Sequence, residues 1–285
     1  MTAPAAPAER PGLDDAVIRV DDVTLRFGGV TSLSEVSLVA PRGEVMAVIG
    51  PNGAGKTSLF NCLTGVYVPQ EGTISLVRPD GSTARLNGRK PYSVTRLGVG
   101  RTFQNIRLFN ALTAVENVKV GADARGKAGP VSVMLGLPRM RREEHAATEK
   151  ALELLSFVGL SGRHDALASA LSYGEQRRLE IARALATGPQ VLLLDEPAAG
   201  TNPAEKNDLA RLITRINAEL GTSVLLIEHD MKLVMSVASY VVVLNFGRVI
   251  AAGAPEQIQR DPAVIEAYLG TTQDDEGAHG DAADD

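Results

Sequence analysis

Short apolar runs alternate with stretches of helical periodicity along most of this chain. Ala16–Val20 and Val23–Phe27 predict two early strands, and Glu44–Ile49 a buried strand closed by Gly50-Pro51. A helix is expected from Lys56 to about Leu63, followed by a strand at Thr73–Val77. Val191–Leu194 and Val224–Ile227 are continuous apolar runs, the pattern of strands covered on both faces. Between them, Leu209, Leu212, Ile213, Ile216 and Leu220 recur as one face of a helix over Ala204–Leu220. Tyr240–Leu244, the turn Asn245-Phe246-Gly247 and Arg248–Ala252 predict a hairpin, and Asp261–Leu269 a last helix.

Strands alternating with helices argue for an α/β core. The stretch from about Asn105 to Ala170 differs: it is mainly helical, with a Gly/Pro-rich break at Arg125–Pro130. Its longer helix, about Arg139–Phe157, aligns Ala147, Ala151, Leu154, Leu155 and Val158. That stretch is expected to be a helical insertion in the core.

Composition narrows the class. The 285 residues are 44% hydrophobic and 22% charged, which excludes a disordered or fibrous chain. No apolar run approaches the ~18–20 residues of a membrane span. The N-terminus has neither the basic nor the apolar region of a signal peptide. Cys62 is the single cysteine and cannot form an internal disulfide, as befits a reducing compartment. The overall charge of −5 is unevenly placed: residues 1–15 carry −2 and residues 271–285 carry −6, which leaves +3 on 16–270. Both ends read as disordered tails, the C-terminal one acidic. Net acidity without a basic run makes nucleic acid a poor partner.

Three segments carry chemistry. Gly50-Pro51-Asn52-Gly53-Ala54-Gly55-Lys56-Thr57, with Ser58 following, fits G-x-x-x-x-G-K-[ST] between a strand and a helix. Its backbone N–H groups and helix N-terminus suit phosphate, Lys56 would reach the β/γ-phosphates, and Thr57 would ligate Mg²⁺. Val191–Leu194 delivers two carboxylates, Asp195 and Glu196, at a strand end. Because adjacent strand residues point opposite ways, Asp195 is expected to hold the Mg²⁺ shell while Glu196 acts as general base on a water. Leu171-Ser172-Tyr173-Gly174-Glu175-Gln176 opens a helix with Ser172 and Glu175 at capping-box spacing.

In this order the three segments resemble the ATP-binding subunit of ABC transporters, over about residues 16–270. The resemblance implies a P-loop NTPase core with an N-terminal antiparallel β subdomain and an inserted α-helical subdomain. It makes Leu171–Glu175 the signature element, with Tyr173 and Glu175 departing from the usual Gly and Gln. Ser172, Gly174 and Glu175 would then cap the γ-phosphate of ATP held by a second, head-to-tail subunit. The resemblance further matches Phe27 to the aromatic that stacks on adenine. Gln104 matches the glutamine touching Mg²⁺ and the attacking water, and His229 the switch histidine at the γ-phosphate. Ala199-Gly200-Thr201-Asn202 falls on a loop that ordinarily ends in Asp.

Arg101–Phe109, Leu171–Arg183, Asp195–Pro203, Glu228–Val234 and Pro262–Gly270 resemble more narrowly the ATPases of bacterial branched-chain amino-acid importers. That implies an ATPase at the cytoplasmic membrane face, peripheral, paired with a second ABC ATPase subunit as a homo- or heterodimer. Two permease subunits and, indirectly, an extracytoplasmic solute-binding protein would complete the assembly. Cassettes for urea, other amino acids and lipopolysaccharide export share much of this wording. A soluble ABC-type ATPase without a permease commonly carries two cassettes or a long coiled coil, and neither is found here. A GTPase would need the absent N-K-x-D motif, and neither it nor a P-loop kinase explains Leu171–Gln176.

Overall fold

The apolar runs and helical faces assemble into α/β units, which a computed structural model describes for residues 16–123 and 138–268. In chain order the elements begin with β1 (Ala16–Phe27), β2 (Val30–Pro41), β3 (Val45–Ile49), α1 (Lys56–Leu63), β4 (Glu71–Val77) and β5 (Thr83–Arg85). There follow α2 (Pro91–Leu97), β6 (Val99–Arg101), α3 (Ala114–Asp123), α4 (Pro138–Phe157), α5 (Tyr173–Ala186) and β7 (Val191–Asp195). The chain continues through α6 (Pro203–Leu220), β8 (Ser223–Ile227), α7 (Met231–Val237), β9 (Tyr240–Asn245), β10 (Arg248–Gly253) and α8 (Pro255–Ile258). Residues 262–268 are again helical.

Two units emerge. Of the described residues, one comprises 16–88 together with 223–268; the other spans 89–222. In the first, β2, β1, β4 and β5 form an antiparallel sheet in that order. Beside it in sequence, β3 pairs in parallel with β8 and β9, and β10 returns antiparallel to β9. Every residue of β3 and β8 is buried, as their unbroken apolar sequences require. Ala47, Ile49, Val241 and Val243 pack with Val234, Ile258 and Val264 into one core.

The antiparallel sheet departs from the expected pattern in an instructive way. The two expected strands at Ala16–Val20 and Val23–Phe27 are one strand, β1. Its ladder shifts register between Val20 and Val23, and Asp22 takes a positive φ of 47°. A bulge of this kind absorbs the extra polar residue without ending the pairing. In β2, Glu35 at φ 54° does the same and sets buried Leu33 and Val36 three positions apart. Period-two alternation is broken there, so no strand is legible from the pattern.

In the second unit β6 and β7 pair in parallel. Of the predicted face of the long helix, Ala151, Leu154 and Leu155 of α4 are buried, with Val158 just beyond, and Ala147 is half-buried. Val118 of α3 and Leu179 and Ile181 of α5 are buried in the same unit. The Arg125–Pro130 break and the tails 1–15 and 271–285 lie outside the described residues. Among the described residues no helix is long and apolar enough to cross a membrane. Cys62 is buried in α1, and burial pushes its thiol up to about 12, which removes the reactive thiolate at neutral pH.

Phe60, fully buried on α1 directly behind the glycine-rich loop, is the largest side chain of that helix's inner face. Phe60→Ala is expected to lower the unfolding free energy by about 3–5 kcal/mol. Urea denaturation followed by circular dichroism measures it as a fall in the midpoint at unchanged slope.

Candidate active site

The glycine-rich loop leaves β3 at Gly50 and enters α1 at Lys56, the strand–loop–helix context its motif requires. Its course depends on close approaches. Gly50 has φ 148°, and a Cβ there would stand 2.0 Å from the Leu244 carbonyl oxygen of β9. Gly55, the N-cap of α1, has φ 102°, and its Cβ would stand 2.7 Å from the Ser32 carbonyl oxygen of β2. Neither position admits a side chain. The Gly247 N–H donates to the Ala54 carbonyl at 3.0 Å and the Ser34 N–H to the Gly247 carbonyl at 2.8 Å, so the β9–β10 turn stitches the loop to β2.

No side chain caps α1. Lys56 reaches back over the loop, with Nζ donating to the carbonyls of Gly50 at 2.6 Å and Pro51 at 2.8 Å. Asn52, Gly53 and Thr57 are exposed, Pro51 and Ala54 buried, and the Ser58 hydroxyl accepts from Ser32 Oγ at 2.7 Å. In the same unit Phe27 is 46% exposed and meets Tyr67 edge-on, ring centroids 5.0 Å apart. His229 follows β8 with its ring exposed, Nδ1 3.9 Å from the buried Glu228 carboxylate.

The other expected residues belong to Arg89–Thr222. Asp195 ends β7, buried, and its Oδ2 accepts from Arg101 Nη2 at 2.7 Å. Asp195 Oδ1 is buried without a hydrogen-bond partner. Glu196 does not continue the strand, as alternation assumed: it takes φ 46° and turns the chain. A left-handed residue, and not the pleat, separates the two carboxylates. Glu196 is half-buried, and Gln104 Nε2 donates to its Oε2 at 3.0 Å. Arg101 and Gln104 thus hold one carboxylate each.

Ser172 caps α5 as expected. Its N–H donates to Glu175 Oε2 at 2.9 Å, and Glu175 N–H returns to Ser172 Oγ at 3.4 Å. The Ser172 N–H, chiefly, with help from Arg163 at 2.9 Å, holds the Glu175 carboxyl below its usual range. A depressed carboxyl stabilises above its unfolded pKa and loses that contribution as pH falls through the folded value. At neutral pH the cap is therefore intact. Gly174 lies against Glu205 Oε1, 3.1 Å from where its Cβ would be.

Asn202 caps α6, its side-chain oxygen accepting from the N–H groups of Ala204 and Glu205, both at 3.0 Å.

Four residues that motif spacing did not single out also shape this unit. Arg101 braces Asp195, and Arg107 stacks 4.5 Å over the Phe103 ring that Arg101 covers from 5.2 Å. Arg177 and Glu180, on the inner face of α5, bond the backbone of Phe103, Gln104 and Arg107. Burial pushes the Glu180 carboxyl up, against the pull of the Arg107 N–H and of Arg177. Charge at i, i+3 on an otherwise apolar helix face was the available signal.

Gly50→Ala forces the backbone off Leu244 as well as imposing the ~1–2 kcal/mol of left-handed strain. It is expected to abolish saturable binding of a fluorescent ATP analogue and to lower the thermal midpoint, both read on the purified chain.

Residues 33–199 match the family profile described as ABC transporter, and residues 248–274 that of the branched-chain amino acid ATP-binding cassette transporter. The high-affinity branched-chain amino acid transport ATP-binding protein BraF of Pseudomonas aeruginosa is 47% identical over 254 residues, 89% of this chain and 98% of that protein. The corresponding LivG protein of Escherichia coli K12 is 44% identical over 258 residues, 90% and 99% of the two chains. A solved ADP conformation of an ATP-binding cassette of an ABC transporter superposes with TM-score 0.75 at 29% identity, covering 90% of this chain and 99% of that one. The chain belongs to the ABC transporter family of ATP-binding cassettes.

Proposed function

We propose that this protein is the ATP-hydrolysing subunit of an importer for branched-chain amino acids. The solute class rests on the 248–274 match and on the names of BraF and LivG, relatives nearly coextensive with this chain. ATP is bound by Gly50–Ser58, with Lys56 on the phosphates and Phe27 against the base. A water attacks the γ-phosphorus, the bond to the ADP oxygen breaks, and the water's proton passes to Glu196. Gln104 orients that water, and His229 contacts the γ-phosphate.

The observation that carries the hydrolytic role is the Gln104–Glu196 hydrogen bond of 3.0 Å at a half-buried carboxylate. Asp195, Thr57 and Gln104 are the proposed Mg²⁺ ligands. Asp195 Oδ1, buried and without a hydrogen-bond partner, is a hard oxygen suited to that ion. Mg²⁺, when bound, supplies neutralisation of the phosphate charge.

Ser172, Gly174 and Glu175 serve the nucleotide of a second ATPase subunit, a copy or a paralogue. Two permease subunits carry the solute, and an extracytoplasmic binding protein delivers it to them. The described helices are none of them able to span a membrane, which fits a peripheral place on the cytoplasmic face. Nucleic acid has no part in this reading.

Glu196→Gln is expected to abolish ATP turnover while leaving ATP affinity within about twofold and favouring an ATP-bound dimer. Steady-state phosphate release and size-exclusion chromatography with ATP test this; unchanged turnover would exclude Glu196 as the base. Deletion of the gene is expected to reduce uptake of radiolabelled leucine, isoleucine and valine. Unchanged uptake of all three would remove the solute assignment and leave the ATPase reading standing.

A further inference from the structure

After the β-ladder bond from Thr102 N–H to the Leu193 carbonyl, the chain from Phe103 to Phe109 has no regular secondary structure. Gln104 sits in that segment, yet its amide meets Glu196 at hydrogen-bond distance. Something other than a ladder must fix the backbone. The groups that do so come from α5, 74 positions away.

Arg177 Nη1 donates to the Phe103 carbonyl at 2.8 Å, and Nη2 to the Gln104 carbonyl at 3.0 Å. Glu180 Oε1 accepts from the N–H groups of Phe103 and Arg107, both at 3.3 Å. The two side chains pair at 3.2 Å and are 2% and 1% exposed. Four backbone groups of an irregular segment are thereby gripped by one buried ion pair on the helix that Ser172 caps. Tyr173 joins them: its hydroxyl accepts from Arg177 Nη2 at 3.3 Å. Tyr173 is also where this chain departs from the family's usual glycine, so the departing residue contacts the arginine.

A buried ion pair adds little net stability over an apolar replacement of equal volume. The planar fork of Arg, by contrast, fixes two acceptors at once, which neither an apolar side chain nor the point charge of Lys does. We infer that Arg177, paired with Glu180 and met by Tyr173, is a positioning residue for Gln104, holding the backbone from which the glutamine amide reaches Glu196. The inference rests on the hydrolytic reading of Gln104 and Glu196 above.

The test is a double-mutant cycle on the full chain, read by steady-state ATPase kinetics. Gln104→Ala is expected to lower kcat. Arg177→Met is expected to lower kcat about 10- to 100-fold with KM for ATP near unchanged, the loss typical of a small misplacement. In the Gln104→Ala background, Arg177→Met is expected to add less than about twofold, because both act through one group. Should Arg177→Met not fold, Arg177→Lys keeps the buried charge balance but loses the fork. It is expected to keep the thermal midpoint and to show the same kcat loss and non-additivity. A further loss in the double variant as large as in the single one, or a rise in KM at constant kcat, overturns the inference. Full kcat in Gln104→Ala alone would overturn the reading beneath it and this inference with it.

Discussion

The close approach of Gly50 to the Leu244 carbonyl sets the geometry of the first unit. A Cβ at Gly50 would overlap that oxygen at 2.0 Å, so the loop leaves β3 only where a glycine stands. The path across Pro51–Ala54 then lets Lys56 turn back on the Gly50 and Pro51 carbonyls. At the far end Gly55 passes the Ser32 carbonyl as closely as its missing side chain allows. The β9–β10 turn supplies the Gly247 N–H to Ala54. The loop is thus preformed by neighbouring backbone, and anion-binding N–H groups presented this way need little reorganisation when a phosphate arrives.

The second unit solves a different problem, which is how to hold carboxylates at the end of an apolar strand. Asp195 is 3% exposed, and Arg101, itself 7% exposed, sets the opposite charge directly against it. Only Oδ2 is engaged, which leaves Oδ1 for a ligand. Glu196, turned out by its left-handed backbone, needs orientation more than charge, and the neutral Gln104 amide provides that. Both braces come from residues 101–104, so one short segment governs both acids.

Much of this was legible in the sequence where local chemistry decides the outcome. The motif Gly50–Thr57 fixes α1 to the expected Lys56–Leu63, and Ser172 with Glu175 forms the capping box its spacing announces. The hairpin around Asn245–Gly247 and the face of α4 are equally local. What escaped depends on distant partners. Asp22 and Glu35 bulge because opposing strands tolerate it, and the bulges erase the alternation that would have announced β2. Arg177 and Glu180 stand out as charges on an apolar helix face, but their partners in residues 103–107 are 73 to 77 positions away.

Asn202 shows how a departure from the family's pattern can be structurally conservative. The loop ordinarily ends in Asp, and Asn lacks the charge. Here the residue's side-chain oxygen accepts two N–H groups of the first turn of α6, while Glu205 Oε2 accepts the Asn202 N–H at 2.9 Å. Asn and Asp are near-equivalent at an N-cap, since either presents one carbonyl-type oxygen to the N2 and N3 amides. The charge of Asp would add a favourable interaction with the helix dipole. Glu205, within the first turn, already places a carboxylate there. The cap of α6 is therefore complete, with a carboxylate in its first turn, without an acid at position 202.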